Sequence, residues 1–276
     1  MPESTKTSWA RIMAPLSGGK ADAAVLQAAA ELARPFGAEV SGVYAPADVA
    51  DLMPWMGEGF MGGVQIAAVE SLKEAAMEGR KAARHAFDAL AYEPRSFKPL
   101  DSPVWTALSM ECRLSDVVVF DNEAARARGP LAQAFQQIIA AEQRPIVIAR
   151  AGLDPAGRAV LAWDGGKEAT RAVRTALPLL QKAKAVTILK VETTAAREAE
   201  PAALQEFLAK RGVKAGVHLV KGAGEPAHVL VKTAQELGAS LLVAGAYGHP
   251  RLQEFIFGGA TRTFLAAEAP SLFLSH

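Results

Sequence analysis

The sequence predicts two tandem doubly wound α/β domains, each built on a five-stranded parallel sheet. Apolar runs of strand length alternate with helical segments in both halves of the chain, which is typical of βαβ units. The halves also repeat each other, because residues 11–20 and 158–167 both begin with Arg and end with Gly-Gly-Lys. The offset of 147 positions, from 11 to 158, persists without a gap to Ala38 and Ala185. A constant offset of this length indicates a duplicated domain.

The second half supplies the clearer pattern. Its strands are predicted at Ala159–Trp163, Ala185–Val191, Gly216–Val220, Leu241–Ala246 and Ser271–Leu274. Its helices are predicted at Lys167–Lys182, Ala199–Arg211, Glu225–Leu237 and Leu252–Ala267. The run Leu-Leu-Val-Ala-Gly at 241–245 has no polar alternation, which is expected of a strand covered on both faces.

The first half follows the same order and is longer by about one loop. Its strands are predicted at Arg11–Pro15, Glu39–Tyr44, Val104–Trp105, Val117–Phe120 and Ile146–Ala149, and its long helices at Ala21–Phe36 and Val64–Leu90. The extra length lies mostly at 46–63, where Met, Trp and Phe are mixed with Gly and Pro. Such a loop is a structural cover over a groove, a ligand lid or a disordered segment, and the sequence leaves these three interpretations open.

The domain boundary is predicted in the turn-rich stretch 151–155, which divides the chain into 1–152 and 153–276. Each half ends in a short apolar run introduced by Pro, as expected of a closing strand. Because the linker is short, we expect the two copies to stay in contact as a fixed pseudo-twofold pair.

Composition excludes several classes of function. With 30 basic and 29 acidic residues the formal net charge is +1, which argues against a nucleic-acid partner. The polar start of the chain lacks a secretory pattern, and no apolar run reaches the length of a membrane span. The single cysteine, Cys112, excludes an intramolecular disulfide, and we expect an inert, semi-buried thiol in a reducing cytoplasm.

One motif predicts chemistry. Gly245, Gly248 and the pair Gly258-Gly259 follow the fourth strand of the second half, and a helix is predicted from about Ala260. Glycines let backbone N–H groups approach an anion closely, and successive N–H groups form an anion-binding nest. The N-terminus of the next helix adds its dipole and free donors. The motif therefore predicts a polyphosphate site beyond the carboxyl ends of the strands.

This spacing, two residues and then nine between the glycines, resembles the ATP-binding motif of the universal stress protein family. Because the duplication covers both halves, the whole chain resembles a tandem member of that family. The resemblance implies the fold of the adenine nucleotide α-hydrolases and a regulatory role in the stress response. It also implies an adenine nucleotide, ATP or AMP, with or without Mg²⁺, in the second half alone.

The resemblance assigns the nucleotide site residue by residue. The implied contacts are Ala162, Asp164, Val191, Gly245, Gly248, His249, Arg251, Gly258, Gly259, Ala260 and Thr261. Asp164 would meet the adenine or ribose, and Val191 the base. Gly259 stands where nucleotide-binding members usually carry Ser or Thr, so that Thr261 would supply the remaining hydroxyl. His249 and Arg251 would touch phosphate or be solvent-exposed loop residues.

The first half departs from the motif. Its fourth strand leads into a loop without Gly-x-x-Gly, and Asp121 and Glu123 in that loop would repel phosphates. We therefore interpret it as a degenerate copy that serves as a packing partner. The family's habit of pairing through terminal strands implies that Ile146–Ala149 and Ser271–Leu274 meet within one chain, and leaves open a homodimer of two chains.

The sequence is compatible with three functions. The first is a nucleotide-binding regulatory protein, and the second is a nucleotide-free structural or scaffolding protein. The third is a slow ATP-consuming enzyme, because the loop from Ser17 to Asp22 resembles that of ATP pyrophosphatases, although a tight strand-to-helix turn is the simpler interpretation. The five histidines lack metal-site spacing and no catalytic set is recognisable, so neither a metal site nor catalytic residues are predicted.

Overall fold

The structure, a computed structural model, describes residues 8–46, 63–101, 104–192, 201–221, 224–246 and 259–276, with side chains described except at 63–69 and 104–106. The first half contains β1 (Arg11–Leu16), α1 (Asp22–Ala33), β2 (Glu39–Tyr44), α2 (Gly63–Asp88), β3 (Arg95–Pro99), α3 (Val104–Cys112), β4 (Val117–Phe120), α4 (Asn122–Ala125), α5 (Ala132–Ala140) and β5 (Ile146–Ile148). The second half contains β6 (Arg158–Ala162), α6 (Lys167–Leu180), β7 (Ala185–Glu192), α7 (Pro201–Ala209), β8 (Ala215–Lys221), α8 (Pro226–Glu236), β9 (Leu241–Gly245), α9 (Gly259–Ala266) and β10 (Ser271–Ser275).

The strands form one ten-stranded sheet in the order β3-β2-β1-β4-β5-β10-β9-β6-β7-β8. All pairs within each half are parallel, which confirms the predicted fold class. The order reads the same from both ends once β6 to β10 are matched with β1 to β5. The two five-stranded sheets are therefore joined edge to edge.

The junction is the antiparallel pair β5–β10. Val147 lies opposite Phe273, Ile146 opposite Leu274, and Ile148 opposite Leu272. Since Val147 and Phe273 are the middle residues of equivalent strands, the pairing is reciprocal about a local twofold axis between them. The two terminal strands meet within one chain, as the family resemblance implies.

Both faces of the sheet are buried under helices. The helices α1, α2, α6 and α7 cover one face, and α3, α5, α8 and α9 cover the other. Trp9 connects the halves near the junction, because its ring stacks on Phe273 at 6.2 Å between centroids and also contacts Phe36 at 5.1 Å. Lys182, in the turn after α6, lies 5.8 Å from the centroid of the same Phe36 ring. The core is thus shared by the two halves.

One predicted strand is wrong. Val104–Trp105 begins helix α3, and the third strand of the first half is Arg95–Pro99. The strand β3 is an edge strand with no fully buried side chain, and its sequence Arg-Ser-Phe-Lys-Pro lacks an apolar run. Hydrophobic periodicity therefore carried no signal for β3.

Two predicted segments lie partly outside the described residues. The apolar loop predicted at 46–63 falls almost wholly at 47–62, which the structure does not describe. The last predicted helix, Leu252–Ala267, is described only from Gly259. Across the described ranges, none of the helices has the length and apolar character needed to cross a membrane.

The helix α2 closes the carboxyl edge of the first half's sheet. Gly18, in the turn after β1, has φ +78, and a Cβ at this position would lie 2.4 Å from the Cα of Gly79. The hydroxyl of Tyr44 at the end of β2 donates to the carbonyl of Ala76 at 2.7 Å. The backbone of α2 therefore packs directly on the turn after β1. The equivalent turn of the second half, after β6, carries the predicted site residue Asp164.

The turn under α2 is held by a buried carboxylate. Asp22 accepts hydrogen bonds from the backbone N–H of Ser17 at 3.0 Å and of Gly18 at 2.8 Å. Burial raises the pKa of Asp22 above its ordinary value, and these hydrogen bonds oppose that rise. The arrangement gives the Ser17–Asp22 loop a structural role as a tight turn.

We predict that Gly18→Ala destabilises the protein more than Gly37→Ala. Both glycines have positive φ, and a Cβ on Gly37 would meet nothing within 4 Å. The left-handed backbone alone should cost about 1–2 kcal/mol in each variant. The clash with α2 should add about 1–3 kcal/mol at Gly18 only. Urea denaturation measures both variants, and equal losses would contradict the packing of α2 on this turn.

Candidate functional site

The predicted site lies where the strand order reverses in the second half. The strand β6 has β7 on one side and β9 on the other, so the chain crosses from one side of β6 to the other between β8 and β9. Open α/β sheets bind ligands in the crevice at this point, beyond the carboxyl ends of the strands. Ala162, Val191 and Gly245 lie at or next to those ends of β6, β7 and β9. The structure therefore brings these three predicted residues to one edge.

Asp164 follows β6 at the same edge. Its Oδ1 accepts a hydrogen bond from the backbone N–H of Gly166 at 2.8 Å, and its side chain is exposed. Gly165 between them has φ +74, which glycine adopts without steric cost. The turn fixes the carboxylate at the start of α6, where it can accept hydrogen bonds from a ligand in the crevice.

Gly245 has a packing role that sequence reasoning missed. A Cβ on Gly245 would lie 2.6 Å from the backbone N of Ala169 and 2.6 Å from the carbonyl carbon of Glu168. The end of β9 therefore packs directly on the first turn of α6. The absence of a side chain is required by this close approach, whether or not a phosphate binds nearby.

The first half carries Asp121 at the position of Gly245. The registers of β1–β4 and β6–β9 match, since Ile12 pairs with Val117 as Ala159 pairs with Leu241. Asp121 accepts from the N–H of Ala124 at 2.9 Å and so caps α4. The segment after β4 thus forms the short helix α4.

The helix α9 begins at the same edge of the second half. It connects the carboxyl end of β9 to the amino end of the parallel strand β10, so its N-terminus faces the crevice. Gly259 and Ala260 are exposed, and Thr261 is buried. The remaining predicted contacts, Gly248, His249, Arg251 and Gly258, lie outside the described residues.

A carboxylate that sequence reasoning did not assign lies beside the N-terminus of α9. Glu225 precedes α8, and its Oε1 is 3.5 Å from a Cβ built on Gly259 and accepts from the Thr263 hydroxyl at 3.4 Å. Its Oε2 is 2.9 Å from Nδ1 of His228. The Gly-Glu-Pro run at 224–226 was visible in the sequence, but its contact with α9 is a tertiary one. A negative charge here stabilises α9 and opposes a phosphate at the same helix end.

The described residues include neither a metal-binding cluster nor a reactive cysteine. In the ranges that the structure describes, no group of three or more His, Cys, Asp and Glu could hold a metal ion. Cys112 is fully buried, its Sγ donates to the carbonyl of Ser109 at 3.1 Å, and burial raises the pKa of its thiol to about 12. The thiol is therefore protonated and inaccessible at neutral pH.

The fold and the site together define a doubly wound α/β protein with its candidate site residues at the topological switch point. Residues 156–270 match the model of the universal stress protein family. The match with this family covers most of the second half of the chain and none of the first. Comparison with curated proteins found no match.

Solved structures resemble the whole chain. A universal stress protein from Archaeoglobus fulgidus DSM 4304 is 14% identical, with a TM-score of 0.63, over 96% of this chain and 95% of that one. A protein of unknown function from Pseudomonas aeruginosa PAO1 is 13% identical, with a TM-score of 0.56, over 97% and 92%. At these identities the likeness establishes the fold alone, and it extends over both halves.

We predict that Gly245→Ala destabilises the protein while Gly216→Ala does not. The added methyl at 245 would overlap the backbone of α6, which should cost about 1–3 kcal/mol or more. Gly216 lies in the edge strand β8, and a Cβ there would meet nothing within 4 Å. Thermal unfolding of both variants provides the measurement. A Gly245→Ala protein as stable as wild type would show that β9 and α6 are not in this close contact.

Proposed function

We propose that the protein is a tandem universal stress protein whose second domain, residues 153–276, binds an adenine nucleotide, ATP or AMP. The observation that carries the proposal is the gathering of the Asp164 turn, Val191 and the N-terminus of α9 at the carboxyl edge beside the switch point. A doubly wound sheet binds nucleotides at this position. The first domain, residues 1–152, has α2 packed on the corresponding edge, which supports binding in the second domain only.

Each part of the nucleotide has a proposed partner. The exposed carboxylate of Asp164 accepts hydrogen bonds from the ribose or adenine, while Ala162 and Val191 offer apolar surface to the base. Backbone N–H groups of Gly248, Gly258, Gly259 and Ala260 bind the phosphates. The hydroxyl of Thr261 and the side chains of Arg251 and His249 are proposed as further phosphate contacts. These last assignments rest on the resemblance to the family.

Magnitudes show that the base and ribose must contribute much of the affinity. A micromolar ligand requires about −8 kcal/mol of binding free energy. One charge at a helix N-terminus contributes about 0.3–1 kcal/mol when it is exposed. Gly259 offers no hydroxyl, so the phosphate contacts are mostly backbone ones. Mg²⁺, if it takes part, would arrive bound to the phosphates, since hard divalent cations are commonly held by one or two carboxylates together with phosphate oxygens.

The proposed role is regulatory, with nucleotide occupancy altering the surface presented to a partner during stress.

Reciprocal pairing of β5 and β10 supports an intramolecular pseudo-dimer of the two domains, and a homodimer of chains is an additional proposal. A single buried thiol favours a cytoplasmic location. Hydrolysis of ATP should be slow at best, because the described part of this edge shows no side chain placed to act as a general base.

A second candidate is a nucleotide-free scaffolding protein. The observation that favours it is Glu225, whose carboxylate lies against the N-terminus of α9 where a phosphate would bind. The Glu225 carboxylate would repel a phosphate bound at the same helix end. It also supplies the negative charge that a helix N-terminus favours. The two candidates differ in whether ATP binds measurably.

We predict that Asp164→Ala weakens ATP binding about tenfold or more, because one hydrogen bond to a charged group contributes about 1.5–3 kcal/mol. Titration calorimetry with ATP and AMP measures the affinity. The matched control is Asp154→Ala, since Asp154 accepts from the N–H of Ala156 at 2.9 Å in the same local geometry but precedes β6 at the opposite edge. Absence of heat and of any thermal shift with millimolar ATP would overturn the nucleotide proposal. Equal ATP affinity of the Asp164→Ala and Asp154→Ala variants would show that Asp164 does not contact the nucleotide.

We predict that Glu225→Gln strengthens ATP binding about two- to fivefold and leaves adenosine binding unchanged, because an exposed charge pair contributes about 0.2–1 kcal/mol. Calorimetry in EDTA separates this repulsion from any metal effect. The control is Glu236→Gln, which makes the same change of net charge at an exposed ion pair with Lys232 on the other end of α8. An equal gain in both variants would show a general charge effect and not contact at α9.

A further inference from the structure

The C-terminus of α9 is held by arginines from the first half. The last four carbonyls of a helix have no partner within it. In α9, the carbonyl of Thr263 accepts from Ala267 N–H at 3.2 Å. The next three carbonyls, at Phe264, Leu265 and Ala266, accept from Arg150 and Arg126 instead. Every terminal carbonyl of α9 is thereby satisfied, mostly from the other half of the chain.

Arg150 makes the most buried of these contacts. It follows β5, is 6% exposed, and its guanidinium donates to Phe264 O at 2.8 Å and to Pro270 O at 2.7 Å. Asn122 of the first half accepts from its Nε at 2.9 Å. Burial, together with the nearby Arg126 cation, lowers the pKa of Arg150 to about 10, so the group is charged at neutral pH. A positive charge at a helix C-terminus complements the helix dipole.

Arg126 reaches α9 from the degenerate loop of the first half. It follows α4, and its guanidinium donates to Ala266 O at 3.0 Å and to Glu268 Oε1 at 2.5 Å. Asn122, which orients Arg150, begins the same α4. This segment follows β4 at the place where the second half has its predicted phosphate loop. The first-half segment after β4, which lacks the glycine motif, therefore contacts α9, the helix that follows the glycine motif in the second half.

The contact has no described counterpart on the other side of the axis. The helix α5 is the equivalent of α9, and its C-terminus is closed by local backbone donors. The N–H groups of Ala141 and Glu142 donate to Gln137 O, and that of Arg144 donates to Ile138 O, across a left-handed Gln143 with φ +51. Among the described residues, arginines of the first half therefore cap a helix of the second half, and no equivalent contact is made in the opposite direction.

We infer that Arg126 and Arg150 are positioning residues of the first half, which hold α9 so that its N-terminus is ordered for phosphate. The inference rests on the proposed nucleotide site and adds a reason for the chain to keep its degenerate half. A helix of eight residues is about 12 Å long and only marginally stable on its own. Fixing its C-terminal carbonyls therefore limits fraying at Gly259–Thr261 as well.

The test uses Arg126→Ala in the full chain, since Arg126 lies at the surface of the contact and Arg150 is buried. The control is Arg113→Ala, which removes another guanidinium, paired with Glu142 at 2.8 Å wholly within the first half. Hydrogen exchange of α9 amides is measured without nucleotide, and affinities for ATP and for adenosine are measured by calorimetry. Arg126→Lys should restore part of any loss, because its ammonium can still donate to the α9 carbonyls.

The expected result for Arg126→Ala is at least threefold faster exchange in α9 and a three- to tenfold loss of ATP affinity, with adenosine affinity and the control unchanged. Unchanged exchange in α9 overturns the inference, and so does an equal loss for ATP and adenosine, which would indicate general destabilisation. If wild-type protein binds no ATP, the nucleotide proposal fails and the inference fails with it, even where the exchange data show that Arg126 holds α9. The two failures are distinguishable, because the first appears in wild type and the second only in the variant.

Discussion

The antiparallel pairing of β5 with β10 is the interaction on which the rest of the molecule depends. Each half alone would leave a closing strand with unpaired backbone groups, which is a site for uncontrolled association. Pairing the two edges satisfies those groups and brings two apolar cores together under a shared set of helices. Trp9 and Phe273, from opposite halves, then stack beside the axis. Contacts between the halves at α9 exist only because this junction fixes their relative position.

The same edge of the sheet serves different purposes on the two sides of the axis. In the first half, the close approach of Gly18 and Gly79 lets α2 lie directly on the turn after β1. In the second half, the corresponding turn carries the exposed Asp164, at the same edge of the sheet as the N-terminus of α9. One scaffold thus supports a closed edge and a candidate binding edge, and loops and helix lengths decide between them.

Most strands could be predicted from the sequence, because buried parallel strands read as apolar runs and the internal repeat matched the first strand and helix of one half with those of the other. β3 could not, since an edge strand that is only half buried carries no apolar signal. The turn containing Asp164 and the presence of a helix at α9 could be predicted from the glycines and their spacing. Glu225 and Arg126 were not, because their roles arise from contacts across 38 and 140 positions of sequence that no local pattern encodes.

The short connection between β5 and β6 has an evolutionary consequence. It is pinned in place by the hydroxyl of Ser240, which donates to Asp154 O at 2.8 Å, and it keeps the two domains at a high effective concentration. In a symmetric assembly of separate identical chains, every substitution is imposed on both sides of the axis at once. In a single chain that coupling is absent, so Asp121 and Arg126 can occupy one half while Gly245 occupies the equivalent edge of the other. The covalent connection thus keeps the two halves together while each half has its own sequence.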